Sequence, residues 1–219
     1  MKLQVVYEDN HLLAVVKPSR MPVVEDASGD LSLHEEAKAY IKAKYNKPGE
    51  VFLGVVHRLD RPVSGIVLFA RTSKSAARLA ESWKEGEVIK KYIAKSLFSP
   101  GQIPLEGKWE QWLTKDSKRN YVKIEKTKNA KLAITKYKII ESSKRGALIQ
   151  LQPVTGRSHQ LRVACASHGL ALQGDIKYGA RESFNNGVIA LHAQELSLPH
   201  PTKRDMVTFK AMCPDWFVL

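Results

Sequence analysis

Cysteine is scarce in this chain, with two residues in 219, Cys165 and Cys213, and neither stands in a CxxC or Cys/His ligand spacing. No disulfide framework and no zinc site is therefore implied, and both thiols are expected to be ordinary buried ones. Long apolar runs are missing as well. The longest near the N-terminus, Leu12 to Val16, is too short for a signal-peptide core or a membrane span. The expectation is a cytoplasmic protein with no membrane partner. Also absent are a Walker loop, a dinucleotide fingerprint, HExxH, an EF-hand loop and internal repeats. No cofactor and no metal is expected. A serine-type hydrolase would find its residue types in His57, Asp60, Ser64, Ser158 and His159, but the G-x-S-x-G elbow is not there.

What is abundant is positive charge: 35 Lys and Arg against 22 Asp and Glu, a net +13. The excess is concentrated mid-chain, in Lys84, Lys90, Lys91, Lys95, Lys108, Lys115, Lys118, Arg119, Lys123, Lys126, Lys128 and Lys131. This is the footprint of a polyanion-binding protein, against the plainer reading of a lysine-rich solubilising surface. With 43% hydrophobic residues the chain can bury a full core. One bilobed domain is expected over 1–219, lobe one at about 1–100 and lobe two at about 101–219.

The pattern predicts a hairpin from strands at 3–7 and 12–16. A helix follows from Ser32, whose capping box runs to Glu35. Val51–Val56 and Ile66–Ala70 read as buried strands. A second helix after Thr72-Ser73 buries Ala76, Leu79, Ala80 and Trp83 and ends at Gly86. Residues 88–98 read as a strand, 99–130 as a basic, loop-rich lobe boundary, and 133–140 with 147–152 as an antiparallel pair. A helix over about 158–167 and strands at 188–198 and 206–212 complete an α+β fold.

His57-Arg58-Leu59-Asp60-Arg61-Pro62-Val63-Ser64-Gly65 sets one carboxylate between two arginines on a short connection. Flanking guanidiniums favour an ionised acid, which is a nucleophile or a base. The same residues also fit an Asx-type turn. Farther on, Thr155-Gly156-Arg157-Ser158-His159-Gln160-Leu161-Arg162 follows a strand and opens a helix, a start that attracts anions. Arg162, one turn in, can point from a rigid element toward an acid or phosphate, or simply be solvated. Tyr92, in Lys90-Lys91-Tyr92-Ile93-Ala94, is either core or a ring on which a base stacks.

In order, these segments resemble the RluA-type family of pseudouridine synthases. Val6–Pro18 resembles the family's first motif and His57–Gly65 its aspartate motif. Residues 90–94 resemble its tyrosine strand, and Thr155–Arg162 with the later Gly174-Asp175-Ile176-Lys177-Tyr178-Gly179 its third motif. The resemblance implies a mixed, mostly antiparallel central sheet in two lobes with a basic catalytic cleft, and isomerisation of uridine in ribosomal or transfer RNA stem-loops without a required protein partner. It implies Asp60 as the catalytic aspartate, Arg162 as its partner and Tyr92 as the ring against the target base. Arg58, Leu59, Lys90, Lys91, Arg157, His159 and Gln160 are then the expected substrate contacts. Two departures stand out: Ala164 where the family usually has histidine, and Val63 for a common threonine. The chain opens at the first motif, so no separate N-terminal RNA-binding domain is expected. The rival reading from another class is a non-catalytic RNA-binding protein that keeps the fold.

Overall fold

A computed structural model describes residues 3–101 and 103–219. The chain divides into two units: residues up to Ile89 joined by Ala193–Met212, and Lys90–His192 joined by Cys213–Leu219. The division falls before the punctuated stretch at 99–107 that marked it in the sequence. The first unit also recovers a late segment, because its sheet is completed by strands from the end of the chain.

In the first unit, β1 (Gln4–Glu8) and β2 (Leu12–Lys17) form the expected antiparallel hairpin. Asp9 turns it, its carboxylate accepting from the His11 and Leu12 amides at 2.7 Å each. The helix α1 (Leu33–Lys44) starts where the sequence placed it, with Ser32 and Glu35 closing the capping box in both directions. The run at 51–56 yields only a two-residue strand, β3 (Gly54–Val55), because no more than Gly54 and Val55 find ladder partners, at Ala70 and Phe69. Val51 and Leu53 are still buried while Phe52 is 52% exposed. The next strand, β4 (Ser64–Ala70), is buried along its whole length beside β2.

Next comes α2 (Ser73–Lys84), capped by Thr72. Its buried stripe runs Ser75, Leu79, Ser82, so Ala80, expected inside, is exposed, and Ala76 and Trp83 are half-buried. The sheet order is β1-β2-β4-β10, with β11 (Met206–Lys210) on β10 (Leu191–Pro199). Leu12, Ile66, Leu68, Leu79, Leu198 and Phe209 form its core. Each such side chain contributes about 1.5–3 kcal/mol by leaving water.

The second unit is ordered β5-β9-β8-β6-β7, from β5 (Ile89–Ser96), β6 (Glu106–Asp116), β7 (Tyr121–Ile124), β8 (Lys131–Ser143) and β9 (Gly146–Pro153). The stretch read as loop is thus largely a long hairpin, β6–β7. Its period-2 signal, buried Trp109 and Leu113 against exposed Lys108, Glu110 and Trp112, is diluted by charge on the open face. A single helix, α3 (Gln160–Ser167), covers the other face through Val163, which joins Leu113, Val122, Ala133 and Tyr178 in a core cluster. It begins at Gln160 rather than near Ser158, because His159 turns into the left-handed region at φ 52°. The result is the α+β class, with mostly antiparallel strands.

Candidate active site

The segment 57–63 leaves β3 as a loop and enters β4 at Ser64, and its shape is fixed from several sides. The Val63 amide closes a turn on the Asp60 carbonyl at 3.0 Å. His57 accepts the Leu68 amide on Nε2 at 2.9 Å and stacks on Trp83, ring centroids 5.1 Å apart. Gly65 sits at φ +121°, with the Ala193 backbone where a Cβ would be. The turn reading and the functional reading of Asp60 therefore coexist: the backbone turns, and the half-buried carboxylate is carried at the bend.

Beneath it lies Lys17, fully buried. Its Nζ donates to the carbonyls of Pro18 (2.9 Å), Met21 (2.8 Å) and Arg61 (3.0 Å). The Arg20 amide adds a second donor to the Arg61 carbonyl at 2.7 Å. The residue after Asp60 is thus pinned through its backbone. The Lys17 ammonium is held down at about 7, because burial, helped by the Arg61 charge, outweighs the upward pull of the Asp60 carboxylate. Lys17 and Asp60 are consequently coupled charges.

The picture of Asp60 clasped by both neighbouring arginines is corrected. Arg61 donates to Ser28 Oγ at 2.7 Å, lies 3.5 Å from Asp26 and pairs closely with Asp30, so its charge goes to the 26–30 loop. Arg58 is exposed, whereas Leu59, expected to touch substrate, is 8% exposed and packs inward.

In the second unit, Tyr92 stands opposite Leu151 on β9, half-buried. Strand alternation puts Lys90 and Tyr92 on the face that α3 covers and Lys91, with Ile93, on the other. The two lysines proposed together as substrate contacts therefore point to opposite sides. Lys90 reaches the 154–159 loop, where a Cβ on Gly156 would stand 3.9 Å from its Nζ. Burial lowers its pKa.

Gln160, another expected contact, is 4% exposed and fully engaged. It accepts from Thr155 Oγ1 (2.7 Å) and the Arg157 amide (3.0 Å), and donates to the Ile134 carbonyl (2.9 Å) and Thr135 Oγ1 (3.0 Å). It braces the loop against β8 rather than presenting an amide outward. Arg157 is exposed, its Nε donating to the Leu132 carbonyl at 3.1 Å.

Arg162 is not a solvated helix arginine. It is 6% exposed and makes a bidentate pair with Asp175, Nε to Oδ2 at 2.7 Å and Nη2 to Oδ1 at 2.8 Å. Its guanidinium lies over the Tyr178 ring, 5.0 Å from the centroid. The Tyr178 hydroxyl accepts the Val122 amide at 2.9 Å and shares a second hydrogen bond with His159 Nδ1 at 2.7 Å. Burial pushes the Tyr178 hydroxyl up to about 12. Asp175 and Tyr178, which hold Arg162, stand in the sequence only as the glycine-aspartate-x-x-tyrosine that trails the third motif. That spacing on one short helical turn was the signal available for them, since Ile176–Tyr178 forms a single 3-10 turn.

Among the described residues, no group of three or more His, Cys, Asp or Glu side chains is arranged to hold a metal ion, and no helix is long and apolar enough to cross a membrane. What the chemistry offers is a carboxylate on a pinned loop, a rigidly mounted guanidinium, and an aromatic ring on the same sheet face as the helix that carries that guanidinium.

The family model described as RNA pseudouridylate synthase matches residues 11–167, which hold Asp60, Tyr92 and Arg162. The ribosomal large subunit pseudouridine synthase D of Zymomonas mobilis is 33% identical, over 97% of this chain and 69% of the relative. Ribosomal large subunit pseudouridine synthase C of Rickettsia prowazekii is 35% identical, over 97% and 68%. The solved structure of human RNA pseudouridylate synthase domain containing 4 superposes with a TM-score of 0.79 at 26% identity, covering 98% of this chain and 90% of that one. With the aspartate, tyrosine and arginine segments inside the matched span, the chain belongs to the RNA pseudouridylate synthase family and is an isomerase acting on uridine in RNA.

Proposed function

We propose that this enzyme converts uridine to pseudouridine in large-subunit ribosomal RNA, with Asp60 as its catalytic carboxylate. The observation that carries this reading is the pinned loop: Lys17 and the Arg20 amide fix the backbone beside Asp60, and Arg61 is drawn away to Asp26 and Asp30. A preorganised carboxylate needs little rearrangement at the moment of reaction. The names of the ribosomal relatives support the choice of RNA, and with such a substrate the enzyme acts in the cytoplasm.

In the reaction, the bond from ribose C1′ to uracil N1 breaks, the base turns, C1′ bonds to C5, the C5 proton leaves and N1 takes up a proton. Asp60 starts it either as a nucleophile or by taking a proton from the ribose. Arg162, always charged and fixed by Asp175, is the partner that the family resemblance assigns to that carboxylate. Tyr92 lies flat against the flipped base, and Arg58, exposed beside Asp60, fills or guards the place the base leaves. Flipping costs a few kcal/mol, which phosphate contacts from the basic surface offset. Lys90 and Arg157 are candidates for such contacts; Lys91, Leu59, His159 and Gln160 are set back by their orientation or burial.

The test uses the purified protein and a large-subunit ribosomal RNA transcript tritiated at uridine C5. Release of tritium at defined positions, mapped as pseudouridine in the product, is expected. Release from a transfer RNA transcript alone would move the target, and none from either would favour the non-catalytic RNA-binding alternative.

A further inference from the structure

The second-unit sheet has two faces, and only one is used above. Trp109, Leu113, Ala133, Thr135 and Tyr137 are buried on the side of α3. Their strand neighbours face the other way, and among the described residues no helix covers them. Only one end of that face is closed, where Phe217 of the C-terminal tail packs on Ile93 and Leu148.

The charge on this open face is arranged against itself. Lys108 on β6 is in register with Lys136 on β8, which is in register with Gln152 on β9. Like charges directly opposite on paired strands, about 5 Å apart, destabilise a sheet unless an anion sits over them. The neighbouring row brings Lys138, and Lys123 stands opposite Thr114 on the hairpin. Glu110 reaches Lys108 at 2.6 Å and Glu106 lies 3.7 Å from Lys138, which leaves Lys136 and Lys123 uncompensated by these two acids. On the same face Trp112 is 40% exposed, with the Lys126 ammonium 5.4 Å from its ring centroid. A solubilising surface spreads its lysines among acids and hides its tryptophans. This face stacks lysines in register and offers an indole beside them.

We propose that this open face is an auxiliary RNA-binding surface, on which the Lys108–Lys136 row, Lys138 and Lys123 hold phosphates of the substrate RNA outside the target nucleotide and Trp112 stacks an unpaired base. The occupant is RNA by charge complementarity, and that choice rests on the proposed reading of the enzyme. The surface lengthens the stretch of RNA the enzyme grips, so short substrates lose this contribution.

The full-length protein carrying Lys108→Gln, Lys136→Gln and Lys138→Gln is compared with a control of equal charge change, Lys42→Gln, Lys47→Gln and Lys74→Gln, all exposed in the first unit. Binding to a large-subunit ribosomal RNA transcript is measured across salt concentrations, with melting temperature as the check on folding. The triple variant is expected to lose affinity on the order of a hundredfold at 0.1 M salt and to flatten the logarithmic salt slope by about 2 to 3. The control keeps the wild-type slope, and Trp112→Leu loses about tenfold. An unchanged slope in the triple variant, or an equal loss in the control, overturns the surface. Tritium release by the wild type is scored separately on the same RNA. Release with an unchanged slope refutes the surface alone, and a face-dependent slope without release refutes the catalytic reading alone.

Discussion

Arg162 and Asp175 show what a single residue's surroundings decide. An arginine one turn into a helix is read from sequence as pointing outward or toward a ligand, since nothing local reveals a carboxylate thirteen positions on that closes over it. Both members are nearly excluded from water, so removing the Asp175 carboxylate strips a buried guanidinium of its bidentate acceptor, at about 3–5 kcal/mol. Asp175→Ala is expected to lower the denaturation free energy by that amount, read from urea midpoints at constant m-value. The double change Arg162→Met with Asp175→Leu recovers most of the stability and none of the turnover. A cost below about 1 kcal/mol for Asp175→Ala would mean the pair is not the anchor described. Asp60, Tyr92 and Arg162 were singled out because they stand in an order of motifs that resembles the family's. Lys17, Asp175 and Gln160 were legible as letters but not as roles, because their partners are distant carbonyls, amides and side chains that only folding brings close.

Within elements, periodicity was readable where a local cap or turn residue marks the start. The Asp9 hairpin, the Ser32 capping box and α2 are local in origin and were found with small errors, such as Ala80. The β6–β7 hairpin was missed because alternation carrying lysine on one face and few buried apolar side chains, Trp109, Leu113 and Val122, on the other resembles a basic loop. Two elements give tests. Gly65, the second residue of β4, sits at φ +121° against the Ala193 backbone, so Gly65→Ala needs both a disfavoured conformation and a shift of β10. It is expected to cost several kcal/mol and to abolish turnover, whereas Gly29→Ala, which has open space despite φ +72°, costs about 1 kcal/mol. Equal melting temperatures for the two variants would contradict this.

The Asp9 turn supplies the pH dependence. Burial opposes ionisation of Asp9, but hydrogen bonds from the His11 amide, His200, the Leu12 amide and Tyr7 outweigh it and hold the carboxyl down at about 2, from 3.8. Its folded pKa is depressed, so the stabilisation is complete above about pH 4 and is lost as pH falls toward 2. The melting-temperature gap between wild type and Asp9→Asn should therefore be widest near neutrality and shrink through that acid window. A gap that is constant from pH 7 to pH 2 would remove Asp9 from the account.

For the whole molecule, composition indicated a polyanion partner, through a net charge of +13 with its lysines crowded at 84–131. The division into units was less legible, because the return of Ala193–Met212 to the first unit is a matter of long-range strand pairing that leaves no local mark. The central claim belongs to this scale too, since it joins a loop of one unit to chemistry on an RNA. Asp60→Asn keeps the shape of the side chain and removes its charge, and Lys17, Arg20 and His57 hold the loop around it. The decisive measurement is tritium release from C5-labelled ribosomal RNA by wild type and Asp60→Asn, with RNA affinity measured in parallel. The account predicts release by wild type and none above background by the variant at near wild-type affinity; release by the variant at the wild-type rate would contradict it.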